Sequence, residues 1–182
     1  MLARLHNTVF HGIQSLFDDW LLGTLARIVF AGVLFVYFWN SAMTKLGDGV
    51  MGLFNLSVGA YAQILPKQME AVSFDPSQLD TLSHVIVYAG TYGEIILPVC
   101  IVLGLFTRLA AIGMIAFVAV MTYVDLTQHA VDAATIGAWF DNQSGSVIAD
   151  QRSLWAFLLI TLVIKGPGPI SLDWLLGRMG AR

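Results

Sequence analysis

The chain is predicted to be an all-α integral membrane bundle of four transmembrane helices, with an amphipathic N-terminal helix and short surface helices in its external loops. Two observations predict it. Of 182 residues, 57% are hydrophobic and 12% charged, against about 25% charged in an ordinary soluble domain. The apolar runs are also long and unalternating. In lipid only helices or closed barrels satisfy their own backbone, and barrel strands would alternate, so helices are expected. At this length the chain reads as a single domain spanning 1–182.

Residues 4–20 place Leu5, Val9, Ile13, Leu16, Phe17 and Trp20 at helical spacing, with His6, Asn7, Gln14, Asp18 and Asp19 elsewhere on the wheel. This pattern suits an amphipathic helix lying in the membrane interface, or one packed on the bundle. No basic, apolar and small-residue sequence typical of a cleaved leader follows Arg4; the first span is expected to serve as the targeting signal.

The first span covers about residues 21–41, enough at 1.5 Å per residue to cross a core of about 30 Å. Tyr37, Phe38 and Trp39 at its end suit an aromatic belt. Residues 42–82 hold Gly47, Gly49, Gly52, Pro66 and Pro76 around an amphipathic stretch at 53–65, read as an external loop with a short surface or re-entrant helix. The second span covers about 83–105 and the third about 107–124; the short GLFTR link makes them antiparallel neighbours. Residues 125–151 are polar and acidic, and 133–140 reads as half-helix or loop. The fourth span covers about 152–166, and GPGP at 166–169 stops it.

An even number of spans puts both termini and the GLFTR turn on one face, with Arg4, Arg27, Arg108, Lys165, Arg178 and Arg182. The other face carries Lys45, Lys67 and Arg152 in longer loops. The positive-inside rule then places both termini in the cytoplasm.

Glu94 is the most informative residue, because a carboxylate near the middle of a span costs several kcal/mol unless paired or wetted. Counting back along the helix gives Thr91, Tyr88 and His84, a polar stripe leading to the external end. Such a stripe fits a proton path or a quinone head-group pocket. A structural ion pair with Arg27, two turns into the first span, is the other reading and is compatible with it. Pro98, one turn past Glu94, frees a backbone carbonyl and invites a kink.

Other chemistries find less support. His6, His11, His84 and His129 form no pair inside the spans, so haem is not expected. His129 with Asp125 and Asp132 would make a weak external metal site, yet a solvated loop face is the commoner arrangement, and no metal is predicted. Cys100 is the single cysteine, which leaves no disulfide or C-x-x-C motif. No G-x-S-x-G elbow or phosphate loop is present, no catalytic residue can be named, and a net charge of −3 without a basic stripe gives no nucleic-acid partner.

The Arg27-bearing first helix ending toward Lys45, the helix with Glu94 followed by GLFTRLAAIG at 104–113, and the closing GPGPISLD at 166–173 together resemble the DoxX family of small bacterial inner-membrane proteins. The resemblance implies a four-helix membrane bundle. It also implies links to quinone-coupled sulfur oxidation or to membrane oxidoreductase complexes and oxidative-stress responses. The acidic segment before the last span resembles a subgroup found beside maturation enzymes for secreted copper-binding peptides. The family features present are Arg27, Lys45, Glu94, Gly104, Thr107, Arg108, Gly166, Pro167, Gly168, Ser171, Leu172 and Asp173. For Asp173 a bond to Arg108, tying the last helix to the GLFTR turn, is expected ahead of a catalytic role.

Two functions follow as expectations. One is a membrane subunit of a quinone-linked oxidoreductase system, with quinone bound near Arg27, His84, Tyr88, Thr91 and Glu94. The other is a non-catalytic anchor or scaffold for a soluble redox or copper-peptide maturation enzyme. The expected partners are the bilayer and one such protein, with self-association left open. A small-solute transporter fits less well, because no inverted repeat is evident.

Overall fold

A computed structural model describes residues 1–17 and 20–180; Asp18, Asp19 and Arg182 of the sequence reading lie outside them. Four helices are long and apolar enough to cross a membrane. Helix α1 covers Leu2–Phe17, and α2, the first span, covers Leu21–Lys45. The segment that follows, 46–80, holds α3 (Val58–Ile64) and α4 (Pro66–Ala71). The second and third spans are α5 (Thr81–Leu103) and α6 (Thr107–Thr127). The short α7 (Ala133–Ile136), the last span α8 (Val147–Lys165) and a tail helix α9 (Leu172–Gly180) complete the chain. Among the described residues the only extended pairing is an isolated bridge between Leu46 and Leu56. The four spans pack as an antiparallel ring in chain order, α8 closing it against both α6 and α2.

Sequence features set the ends of these helices. Asp80 caps α5 by accepting from the Ser83 amide at 2.9 Å, and the span ends on Gly104 in the left-handed region. The last span begins five residues earlier than predicted. Residues Val147–Gln151 form a π-helical turn, and Ser146 and Asp150 cap each other reciprocally, the Ser146 amide and hydroxyl donating to Asp150 and the Asp150 amide to Ser146. Polar residues that read as loop by hydropathy therefore start the helix. The first span runs on to Lys45 and contains a π-helical stretch, Phe30–Phe35. Pro98 sits fully buried inside an α5 that runs unbroken past it. The 133–140 stretch holds only the single turn of α7.

The core runs along the bundle axis through Phe30, Leu34, Phe38, Ile101, Met114, Leu159 and Leu162. A smaller cluster of Ala60, Tyr61, Met69 and Val87 seats α3 and α4 on the N-terminal half of α5. None of the residues of α1 is buried, and its apolar side chains Leu5, Val9, Ile13 and Leu16 are exposed. This is the surface expected of a helix lying on lipid.

Candidate functional site

Two polar centres occupy opposite ends of the bundle, and the first corrects two sequence expectations. Arg27 does not reach Glu94. Its Nε donates to the Ile101 carbonyl at 3.1 Å and its Nη2 to Val102 at 2.7 Å. Its Nη1 donates to Pro167 at 3.0 Å and to Ile170. One guanidinium thus satisfies carbonyls at the end of α5, which a helix terminus leaves open, and carbonyls of the GPGP turn. The physical reason is distance: Ile101 lies seven residues beyond Glu94, about 10 Å along a helix, so Arg27 stands level with the helix end.

Asp173 likewise does not bind Arg108. It accepts from the Phe106 amide at 2.7 Å and from the Thr107 amide and hydroxyl at 2.8 Å each, capping α6 from another part of the chain. Its own amide donates to Gly104 at 2.8 Å. Arg108 instead donates to the Ile164 carbonyl at 3.3 Å. Gly104 has φ +70°, and a Cβ there would lie 2.5 Å from the Ser171 Cβ, so this turn requires glycine. Ser171 donates to Gly168 and accepts from the Trp174 amide. Of the residues expected to be structural, Gly104, Thr107, Arg108, Gly166, Pro167, Gly168, Ser171 and Asp173 are gathered here around Arg27, and Lys45 is not.

The second centre lies in the other half of the bundle. Glu94, 2% exposed, accepts from the Lys45 Nζ at 2.6 Å, and Lys45 is itself 6% exposed. Lys45 occupies the last turn of α2, where the helix dipole favours a cation, and also donates to the Ser41 hydroxyl at 2.8 Å. Lys45 therefore takes the role assigned to Arg27. Sequence reasoning placed it in a loop, because the apolar run weakens after Ser41; its spacing of four from Ser41 was the available signal. A buried pair gains from low dielectric only when its partners are aligned, as these are.

Thr91, one turn from Glu94, is fully buried and its Oγ1 has no hydrogen-bond partner. Tyr88 and His84 continue the stripe, but their polar atoms are engaged by the segment between the first two spans. Tyr88 donates to the Phe54 carbonyl at 2.7 Å and Tyr92 to Leu53. These bonds hold a loop that closes on itself, with the Gly47 amide donating to Gly52 and Asn55 and the Ser57 amide to Lys45. His84 Nδ1 lies 2.7 Å from the Tyr61 hydroxyl. Burial holds the Tyr61 phenol above its ordinary pKa, with Tyr88 adding to the effect.

A second ion pair was not anticipated. Arg152, 8% exposed, binds Asp125 and donates from Nη1 to Thr122 at 2.8 Å, while its Nε is buried without a partner. The pair joins α6 to α8 as Lys45 and Glu94 join α2 to α5. Tyr37 of α2 packs against the last span. Its ring packs 5.4 Å from Trp155, and Phe38 meets both Trp155 and Phe117 edge-on. The residues of the weak metal site are dispersed into other bonds: Asp125 on Arg152, Asp132 capping Thr135, and His129 on the Gln63 carbonyl.

No curated protein and no solved structure matches this sequence. The sequence profile of the DoxX family matches residues 22–127, more than half of the 182 residues. That stretch holds Arg27, Lys45, Glu94, Gly104, Thr107 and Arg108, while the GPGPISLD segment beyond it is bonded to it through Arg27 and Asp173. The protein is a multi-pass membrane protein, and it belongs to the DoxX family.

Proposed function

We propose that this protein is the membrane subunit of a quinone-linked oxidoreductase system and binds quinone beside Glu94. The observation that carries the reading is the buried Lys45–Glu94 pair with an unpartnered hydroxyl, Thr91 Oγ1, one turn away. Buried polar atoms are nearly always bonded, and a site with an acid, an ammonium and a free hydroxyl suits a carbonyl-bearing ring. A quinone supplies two-electron, two-proton redox chemistry when bound. The Thr91 hydroxyl is the group free to bond a carbonyl oxygen, beside the charges of Lys45 and Glu94. Arg27 belongs to the other end of the bundle and takes no part; His84 and Tyr88 shape the external approach. The same reading places the chain in a bacterial inner membrane with both termini cytoplasmic, following its basic residues, and gives it a redox or maturation enzyme as partner.

The test is lipid extraction and redox difference spectroscopy on gently purified protein beside Glu94→Gln. A co-purifying quinone lost in the variant supports the reading. A cofactor-free spectrum in both, with no quinone binding by fluorescence quenching, ends it.

A second reading, the non-catalytic scaffold, is favoured by exposed apolar side chains on the external segments, Met51, Phe54, Phe74, Trp139 and Phe140. It expects loop deletions to abolish partner binding while Glu94→Gln leaves the partner's activity intact.

A further inference from the structure

Two helices at one end of the bundle turn their apolar sides away from it. In α1, Leu2, Leu5, Val9, Ile13 and Leu16 follow one another at helical steps, so they share one side, and all are exposed. The tail helix α9 repeats the arrangement with Leu172, Leu175, Leu176 and Met179. What fastens α9 to the bundle is polar, Asp173 on the amides of Phe106 and Thr107, and this hold leaves its apolar side outward. Both helices stand at the same end. Trp20 Nε1 donates to the Leu16 carbonyl at 2.9 Å, joining α1 to the start of α2. That start packs on the turn leading into α9: a Cβ on Gly168 would lie 3.1 Å from the Trp20 carbonyl oxygen, and one on Gly23 would lie 2.3 Å from that of Gly166.

Position and charge say what covers these faces. They adjoin exposed apolar residues of the spans, Leu22 and Leu25 after Trp20, and Leu109 on the α6 terminus that Asp173 caps, a surface that lipid covers in a multi-pass protein. Trp20 and Trp174 are each partly exposed beside one of the helices, as suits rings at headgroup level. Arg4 and His11 lie on α1 opposite its apolar side, and Leu2–Phe17 contains no Asp or Glu, although Asp18 and Asp19 follow in the sequence. On α9 Arg178 stacks over Trp174 at 4.6 Å, and Arg108 is exposed at the neighbouring start of α6. The other end of the bundle has the opposite balance. Asp75, Asp80, Asp132 and Asp141 are exposed there, and among the described residues its one exposed Lys or Arg is Lys67. A leaflet with anionic headgroups therefore matches the first end and not the second. We propose that α1 and α9 form a collar that lies in the headgroup region of one leaflet and selects anionic phospholipids. The collar uses none of the residues beside Glu94 and stands apart from the quinone reading.

The test uses the full chain in two experiments. In nanodiscs of mixed phosphatidylglycerol and phosphatidylcholine, with Cys100→Ser, single nitroxide labels are placed through Ile13→Cys and Met179→Cys on the apolar sides, and through Ser15→Cys and Gly177→Cys away from them. Labels at Ile13 and Met179 should be relaxed more by oxygen, which concentrates in lipid, than by a water-soluble nickel chelate; the other two should show the reverse. Either apolar position open to the chelate, or shielded from both reagents as under a protein partner or a second copy, overturns the collar. The second experiment counts phosphatidylglycerol against phosphatidylcholine retained from an equal mixture, by native mass spectrometry. The wild type should prefer phosphatidylglycerol, and Arg4→Gln and Arg178→Gln should each lower that preference by about fivefold, whereas Lys67→Gln at the other end should not change it. Equal retention of the two lipids by the wild type, or a preference that either arginine variant leaves intact, overturns the selectivity.

Discussion

The two ends of this bundle use the same kinds of residue to opposite effect. At the end that carries the GLFTR and GPGP turns, Arg27 donates to four carbonyls and Asp173 accepts three hydrogen bonds. The bonds fall on helix ends and turns, which is where a bundle needs donors and acceptors supplied. In the other half, charges meet charges, Lys45 on Glu94 and Arg152 on Asp125, and two buried polar atoms beside them are left open. A saturated centre of backbone contacts holds structure. An unsaturated centre of ion pairs inside an apolar bundle is expensive and is kept where it does something else.

The sharpest way to break the contrast is to unpair one charge. Lys45→Met leaves Glu94 buried alone and should cost about 3–5 kcal/mol, most of which Lys45→Met with Glu94→Leu should restore; a double-mutant cycle on unfolding in detergent measures it, and a double variant no more stable than the single would contradict it. Next, Arg27→Met strips the donors from the end of α5 and the last turn, an expected loss of about 3 kcal/mol. Proteolysis should then begin at residues 166–171, and bound quinone should remain in whatever protein still folds. Asp173→Asn weakens the cap on α6 by about 1 kcal/mol, read as a lower melting temperature.

The smallest effect concerns pH at the start of α5. Bonds from the Ser83 side chain and amide hold the Asp80 carboxyl below its ordinary pKa. A depressed folded value stabilises above the unfolded pKa, about 3.9, and the contribution fades as pH falls through the folded one. Hydrogen exchange at residues 81–84 should therefore be flat from neutral pH to about pH 5 and rise below about pH 4, after correction for intrinsic rates; acceleration already at pH 6 would point to another group.

How much of this was legible follows from what a linear pattern records. The four spans and the antiparallel GLFTR link came from apolar length alone, and hydropathy missed only ends built from polar residues: the Ser146–Asp150 cap lengthens the last span and Lys45 the first. Asp173 was expected to reach the GLFTR turn through Arg108, and it reaches that turn through other partners. A carboxylate near an arginine suggests an ion pair, whereas the fold presents it with the bare amides of Phe106 and Thr107. Glu94 announced itself as a lone acid in an apolar run, yet its partner depended on how far Lys45 turns inward. Arg152 and Asp125 were invisible for a similar reason: each sits at a span end, where charges are ordinarily solvated, and only the packing of α6 on α8 brings them together and buries Arg152.

The most direct measurement takes bound quinone and melting temperature from the same purified preparations of Glu94→Gln and Asp173→Asn. We expect Asp173→Asn to melt lower and keep its quinone, and Glu94→Gln to lose quinone. Quinone lost from Asp173→Asn but retained by Glu94→Gln would reverse the roles assigned here to the two ends of the bundle.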